Sequence, residues 1–126
     1  MGTDTIILLC GLHSLGFALF HTAFWKLFRW PLSLGDTTLA NRAILQIANV
    51  QLIWIFLFVA ALCFLFPEAL ATTPLGRALL AGMSVFWLLR LVVQFVFLRV
   101  DSAMVHVLSV LFAGGAVLFA LPLLQQ

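Results

Sequence analysis

Ala78-Leu79-Leu80-Ala81-Gly82-Met83-Ser84-Val85-Phe86-Trp87-Leu88-Leu89-Arg90-Leu91-Val92-Val93-Gln94-Phe95-Val96-Phe97-Leu98 decides the fold. The run has about the 20 residues that a helix needs to cross roughly 30 Å of hydrocarbon. Its one charge is Arg90. A backbone surrounded by lipid must satisfy its own N–H and C=O groups, and helices achieve this within one segment.

Working outward, three more runs of the same kind appear. Membrane helices are expected over about 5–25, 43–66, 77–98 and 103–124, in a single transmembrane domain covering 1–126. Of the 126 residues, 65% are hydrophobic and 8% charged. A soluble domain of that size has no interior large enough to hide so much apolar surface. The expected class is therefore all-α, an integral membrane up-and-down four-helix bundle. The connections are short, and the residues between the runs leave no room for a soluble catalytic module. Pro31, Pro67 and Pro74 fall in the expected connections and Pro122 at the end of the last helix, so none breaks a helix centre. The first run lacks the basic start of a cleavable signal and is expected to be retained.

The net charge of +2 comes from scattered residues and forms no nucleic-acid patch. Lys26, Arg29 and Arg42 surround the first connection, Arg99 lies in the third, and only Arg77 is on the other side. Cytoplasmic loops carry the excess of Lys and Arg, so both termini are expected on the non-cytoplasmic side, with a bacterial inner membrane as the location. Trp25 and Trp30 suit an interfacial anchor beside Lys26 and Arg29. Asn41 or a threonine before it is expected to cap the second helix. Cys10 and Cys63 lie at similar depth. They fit either a disulfide or, more simply, two small buried hydrophobes.

The acids are Asp4, Asp36, Glu68 and Asp101, all at or beyond segment ends, so no span offers Arg90 a carboxylate. A charged residue inside the bilayer is costly and marks a function by default. At about 1.5 Å of rise per residue, Arg90 sits roughly 12 Å and Gln94 roughly 6 Å from the cytoplasmic edge. His21, Gln46, Asn49 and His106 fall in the same leaflet, with Arg42 at the start of the second helix. Helical periodicity gives each of these residues a shared face: His13/Phe17/His21, Arg42/Gln46/Asn49, Trp87/Arg90/Gln94, and His106/Ser109/Ala113/Ala116/Ala120. Gln51 points away from Asn49, towards a neighbouring subunit or another helix pair. The expectation is a buried polar site formed by Arg90, Gln94, Asn49, Gln46, Arg42, His21 and His106. Its ligand would be a small anion, a lipid headgroup or a partner segment, because a guanidinium offers a fixed fork of donors to oxyanions.

Other chemistries remain open. The polar residues can be interhelical hydrogen-bond glue in a structural accessory or immunity protein. His21 and His106 at similar depth would suit the axial ligands of haem b in a redox subunit. Ser14, Ser84 and Ser109 lack an acid and base to activate them. No dense metal-ligand motif is present, Cys10, His13 and Cys63 being the nearest approach to one. A homo-oligomer, dimer or trimer, is expected for so small a bundle.

The second and third runs also resemble the membrane-associated proteins in eicosanoid and glutathione metabolism. Asn41-Arg42-Ala43-Ile44-Leu45-Gln46-Ile47-Ala48-Asn49 keeps that family's arginine and asparagine seven apart, and Phe86 to Gln94 is similar to its arginine-containing third helix. The resemblance implies a four-helix trimer that binds glutathione in the cytoplasmic half through Arg42, Asn49 and Arg90, acting as a transferase or reductase. The thiol would be activated by a lowered pKa. The chain departs from the family pattern in having Asn41 in place of an acid, Leu52 in place of a glutamate, Leu45 and Ala48 in place of arginines, and no tyrosine.

Overall fold

The computed structural model describes residues 2–125. The fold is all-α, with four membrane-length helices in up-and-down order: α1 (Thr3–Thr22), α3 (Leu39–Leu65), α5 (Pro74–Phe97) and α6 (Ala103–Leu124). Short helices α2 (Phe24–Leu27) and α4 (Pro67–Thr72) and a 3-10 turn at Leu32–Leu34 fill the connections. The helix starts follow from capping chemistry. Thr73 Oγ1 accepts from Gly76 N at 3.0 Å and Ser102 Oγ accepts from Val105 N at 3.2 Å. In both cases a side-chain oxygen satisfies a donor that the helix leaves orphaned. Thr38, not Asn41, caps α3, accepting from Asn41 N at 3.2 Å, so α3 begins earlier than expected. The expected first helix ends at Thr22, and Phe24–Leu27 forms a separate turn. The connection expected between the second and third helices instead holds α4, with Pro67 at the first helical position, where its missing N–H costs nothing.

The helices pack as two units, one made of Met1–Cys10 with Leu62–Gln126, the other of Gly11–Ala61. In the second, α1 and α3 run antiparallel. Ser14 Oγ donates to the Phe56 carbonyl at 2.8 Å, and two turns further along α1 His21 meets Asn49, two turns back along α3. Buried Phe17, Ala18, Phe56 and Val59 fill the space around these polar ties.

In the first unit α5 and α6 run antiparallel through three levels: Gln94 with Ser109, Ser84 with the Ala116 carbonyl at 2.6 Å, and Arg77 with the Leu123 carbonyl at 2.9 Å. The same arginine donates to the Ala71 carbonyl at 3.1 Å, so it joins the ends of α4 and α6. Cations suit helix C-termini, where carbonyls lack intrahelical partners. Gly76 lets α5 start directly against α4: a Cβ there would lie 2.3 Å from the Ala69 oxygen and 2.4 Å from Leu70 Cα. The buried face of α6 is Phe112, Gly115, Phe119 and Pro122. The expected small-residue stripe through Ala113, Ala116 and Ala120 is only partly covered. Cys10 and Cys63 are buried and unpaired, and the Cys10 thiol donates to the Leu118 carbonyl at 3.2 Å.

Candidate functional site

Each unit gathers its own polar group. In the Gly11–Ala61 unit, Asn49 is 3% exposed and spends its whole amide on His21. Its Nδ2 donates to the His21 carbonyl at 2.9 Å, and His21 Nδ1 lies 2.7 Å from Asn49 Oδ1. The imidazole stacks on Phe24 at 4.2 Å between ring centroids. One turn earlier on α3, Gln46 Oε1 accepts from Trp25 Nε1 at 3.1 Å, while its Nε2 donates to the Arg42 carbonyl at 3.1 Å. Arg42 reaches into the preceding loop, donating to the Gly35 and Thr37 carbonyls at 3.3 and 3.0 Å. Trp25 and Trp30 pack edge to face at 5.9 Å. Thus His21, Asn49, Gln46 and Arg42 line one α1/α2/α3 seam, with most of their donors and acceptors engaged locally.

In the other unit, Gln94 is 1% exposed. Its Nε2 donates to Ser109 Oγ at 2.7 Å and approaches the Val105 carbonyl at 3.3 Å, while its Oε1 is buried without a hydrogen-bond partner among the described residues. One turn back, the Arg90 guanidinium lies over the Phe112 ring, 4.5 Å from its centroid. Trp87 stacks on the same Phe112 at 5.7 Å and 17°. Arginine suits an aromatic face because the ring quadrupole attracts the cation and the weakly hydrated guanidinium plane covers apolar surface.

Two expectations are corrected here. Arg90 is half-buried, and among the described residues no charged side chain is buried. The ring of Phe112 covers the guanidinium, and the residue as a whole stays only partly buried, as amphipathic side chains do. His106 is exposed and does not join a buried layer. Its Nε2 lies 2.6 Å from Asp101 Oδ1, because Asp101 just ahead of the helix is within local reach. Among the described residues Arg90 makes no ion pair or hydrogen bond, so Phe112 is its neighbour in place of a carboxylate.

Reasoning from the sequence missed Trp25 as the partner of Gln46 and Arg77 as the tie between α4 and α6. Trp25 is four residues from His21 and could have been placed on its face. The Arg77 tie depends on where α6 ends, and no local pattern signals that. Ser14 and Ser84, which the sequence leaves without an acid and base to activate them, are both interhelical donors.

Four apolar helices of spanning length define a small polytopic membrane protein. Compared with family models, curated proteins and solved structures, the chain matches none of them.

Proposed function

We propose that this membrane protein holds an oxyanion at Arg90, in the form of a lipid phosphate or a small free phosphate. The observation that carries the proposal is a guanidinium on a membrane-length helix, seated on Phe112 and lacking any carboxylate partner among the described residues. The ring occupies the face of the guanidinium but does not use its in-plane N–H donors. Those donors match the oxygens of a phosphate in two-pronged geometry. Arg90 is about two turns, roughly 10 Å, from the end of α5, so the phosphate has to enter below the headgroup level to meet it, where little water competes for the guanidinium. Under the positive-inside rule that end of α5 is cytoplasmic, and the termini lie on the opposite side.

The test is native mass spectrometry of the protein released from vesicles containing phosphatidylglycerol, with inorganic phosphate titrated separately. Retained lipid that is lost in Arg90→Leu and partly restored in Arg90→Lys supports the lipid source. Phosphate binding with the same mutant pattern and no retained lipid supports the free anion. Equal retention in wild type and Arg90→Leu overturns the proposal.

Less supports the other readings. A glutathione site would draw on Arg42, Asn49 and Arg90, and the first two direct their donors to Gly35, Thr37 and His21. A haem site would draw on His21 and His106, which meet Asn49 and Asp101.

A further inference from the structure

Helix α3 carries an outward seam whose spacing alternates three and four: Ile44, Ile47, Gln51, Trp54, Phe58 and Ala61. Every one of these residues is exposed. This is the repeat by which two helices pack side by side over several turns. Trp54 and Phe58 stack on each other at 6.0 Å and 17°, making a flat apolar platform at one end of the seam.

Gln51 breaks the apolar pattern. It lies about 18 Å from the start of α3 and about 21 Å from its end, near the middle of the span. It is exposed, and its side chain makes no hydrogen bond among the described residues. At that depth its neighbour outside the protein is hydrocarbon, and the side chain is too short to reach either interface. An amide there has lost water and gained nothing in return. Beside it Trp25, Gln46, Ile47, Val50 and Gln51 line an open groove of about 420 Å³.

We propose that this α3 seam is the contact between two copies of the chain, with Gln51 of each hydrogen-bonded to Gln51 of the other. A second copy is the partner that fits best. Copies inserted with one topology place Gln51 at the same depth, so a two-fold axis along the membrane normal brings the two amides together. Each amide has a donor and an acceptor, so the pair satisfies itself. A single polar residue within an apolar seam also fixes the register of the pair. The groove beside Gln51 receives side chains that flank the partner seam. This inference is independent of the proposal for Arg90.

The test is the monomer–dimer equilibrium in liposomes, read by single-molecule photobleaching over a range of protein-to-lipid ratios. Wild type and Gln51→Asn are expected to dimerise, and Gln51→Leu to do so about five- to thirty-fold more weakly, the range for an interhelical polar bond in lipid. Gln51 faces outward, so Gln51→Leu leaves the fold intact, checked by circular dichroism. In a Cys10→Ala, Cys63→Ala background, Ile47→Cys and Trp54→Cys are expected to cross-link between copies, and exposed Leu45→Cys and Leu57→Cys, off the seam, are not. A monomer at every ratio, a dimer indifferent to Gln51→Leu, cross-linking through Leu57→Cys instead, or a monomer that captures only a different protein would each overturn the inference.

Discussion

Asn49 and His21 meet at two points, the Asn49 Nδ2 on the His21 carbonyl at 2.9 Å and the His21 Nδ1 on Asn49 Oδ1 at 2.7 Å. A carbonyl only accepts, so it fixes which end of the amide faces it. The oxygen end then faces the ring, and the proton belongs on Nδ1. Replacing Asn49 by Leu leaves the half-buried His21 Nδ1–H without its acceptor and should lower stability by about 1 kcal/mol. Unfolding in mixed micelles measures this, and the ¹⁵N shifts of His21 report the tautomer. A proton on Nε2 in wild type would contradict the assignment.

Gly76→Ala should be among the most damaging small substitutions in the chain. Its Cβ would enter the backbone of Ala69 and Leu70, which cannot yield as a side-chain tip can. Overpacking of this kind costs about 1–3 kcal/mol or more. Gly82→Ala, where a Cβ meets nothing within 4 Å, is the control and should be neutral or slightly stabilising. Thermal inactivation of folding in detergent distinguishes the pair.

Arg77→Met should free the ends of α4 and α6 together. The guanidinium spans two carbonyls, at Ala71 and Leu123. Lysine keeps the charge but has one nitrogen in place of a fork, so Arg77→Lys should rescue only in part. Hydrogen exchange should quicken in the last turn of α6 and in α4, with the α1/α3 contacts of Ser14 and Asn49 unchanged.

Arg90→Leu should leave stability within about 2 kcal/mol of wild type, because the cation–π contact it loses is offset by the removal of a costly charge from the span. Phe112→Leu should cost more, about 1–3 kcal/mol, since Phe112 is 3% exposed and packs against both Trp87 and Arg90. If Arg90→Leu unfolds the protein, Arg90 is a structural residue and not a poised one.

Gln94 to Ser109 should behave as glue. Gln94→Leu removes the bond but also removes an orphaned Oε1, so the two effects oppose and the net change should stay below about 1.5 kcal/mol. Ser109→Ala alone leaves the Gln94 amide with less to hold and should cost more than the double substitution. A double-mutant cycle in micelles isolates that coupling.

The four spans were legible because hydrophobic length alone determines them, and no tertiary contact is needed. Faces were legible in part. Periodicity put Gln94 and Ser109 on inward stripes, and these two do meet. The same rule put His106 inward, where it failed, because a first-turn residue answers to the nearest charge and Asp101 is close enough to claim it. Arg90 does lie about two turns before the end of its helix with no acid paired to it among the described residues, but its burial was overstated. Depth in the membrane and burial in the protein are different quantities, and only the second depends on a neighbour such as Phe112. The small helix α4 was missed because a segment of that length has no readable period, although Pro67 and Glu68 were a fair start signal.

Ser14 and Ser84 each cross between helices to a main-chain oxygen, at Phe56 and at Ala116. A peptide carbonyl is present whatever side chain is attached to it. The accepting helix can therefore exchange residues of similar bulk at either position and keep the tether, while the donating helix has to supply a hydroxyl. Related chains would then drift on one side of each contact only, and these two contacts would leave no trace of paired substitutions.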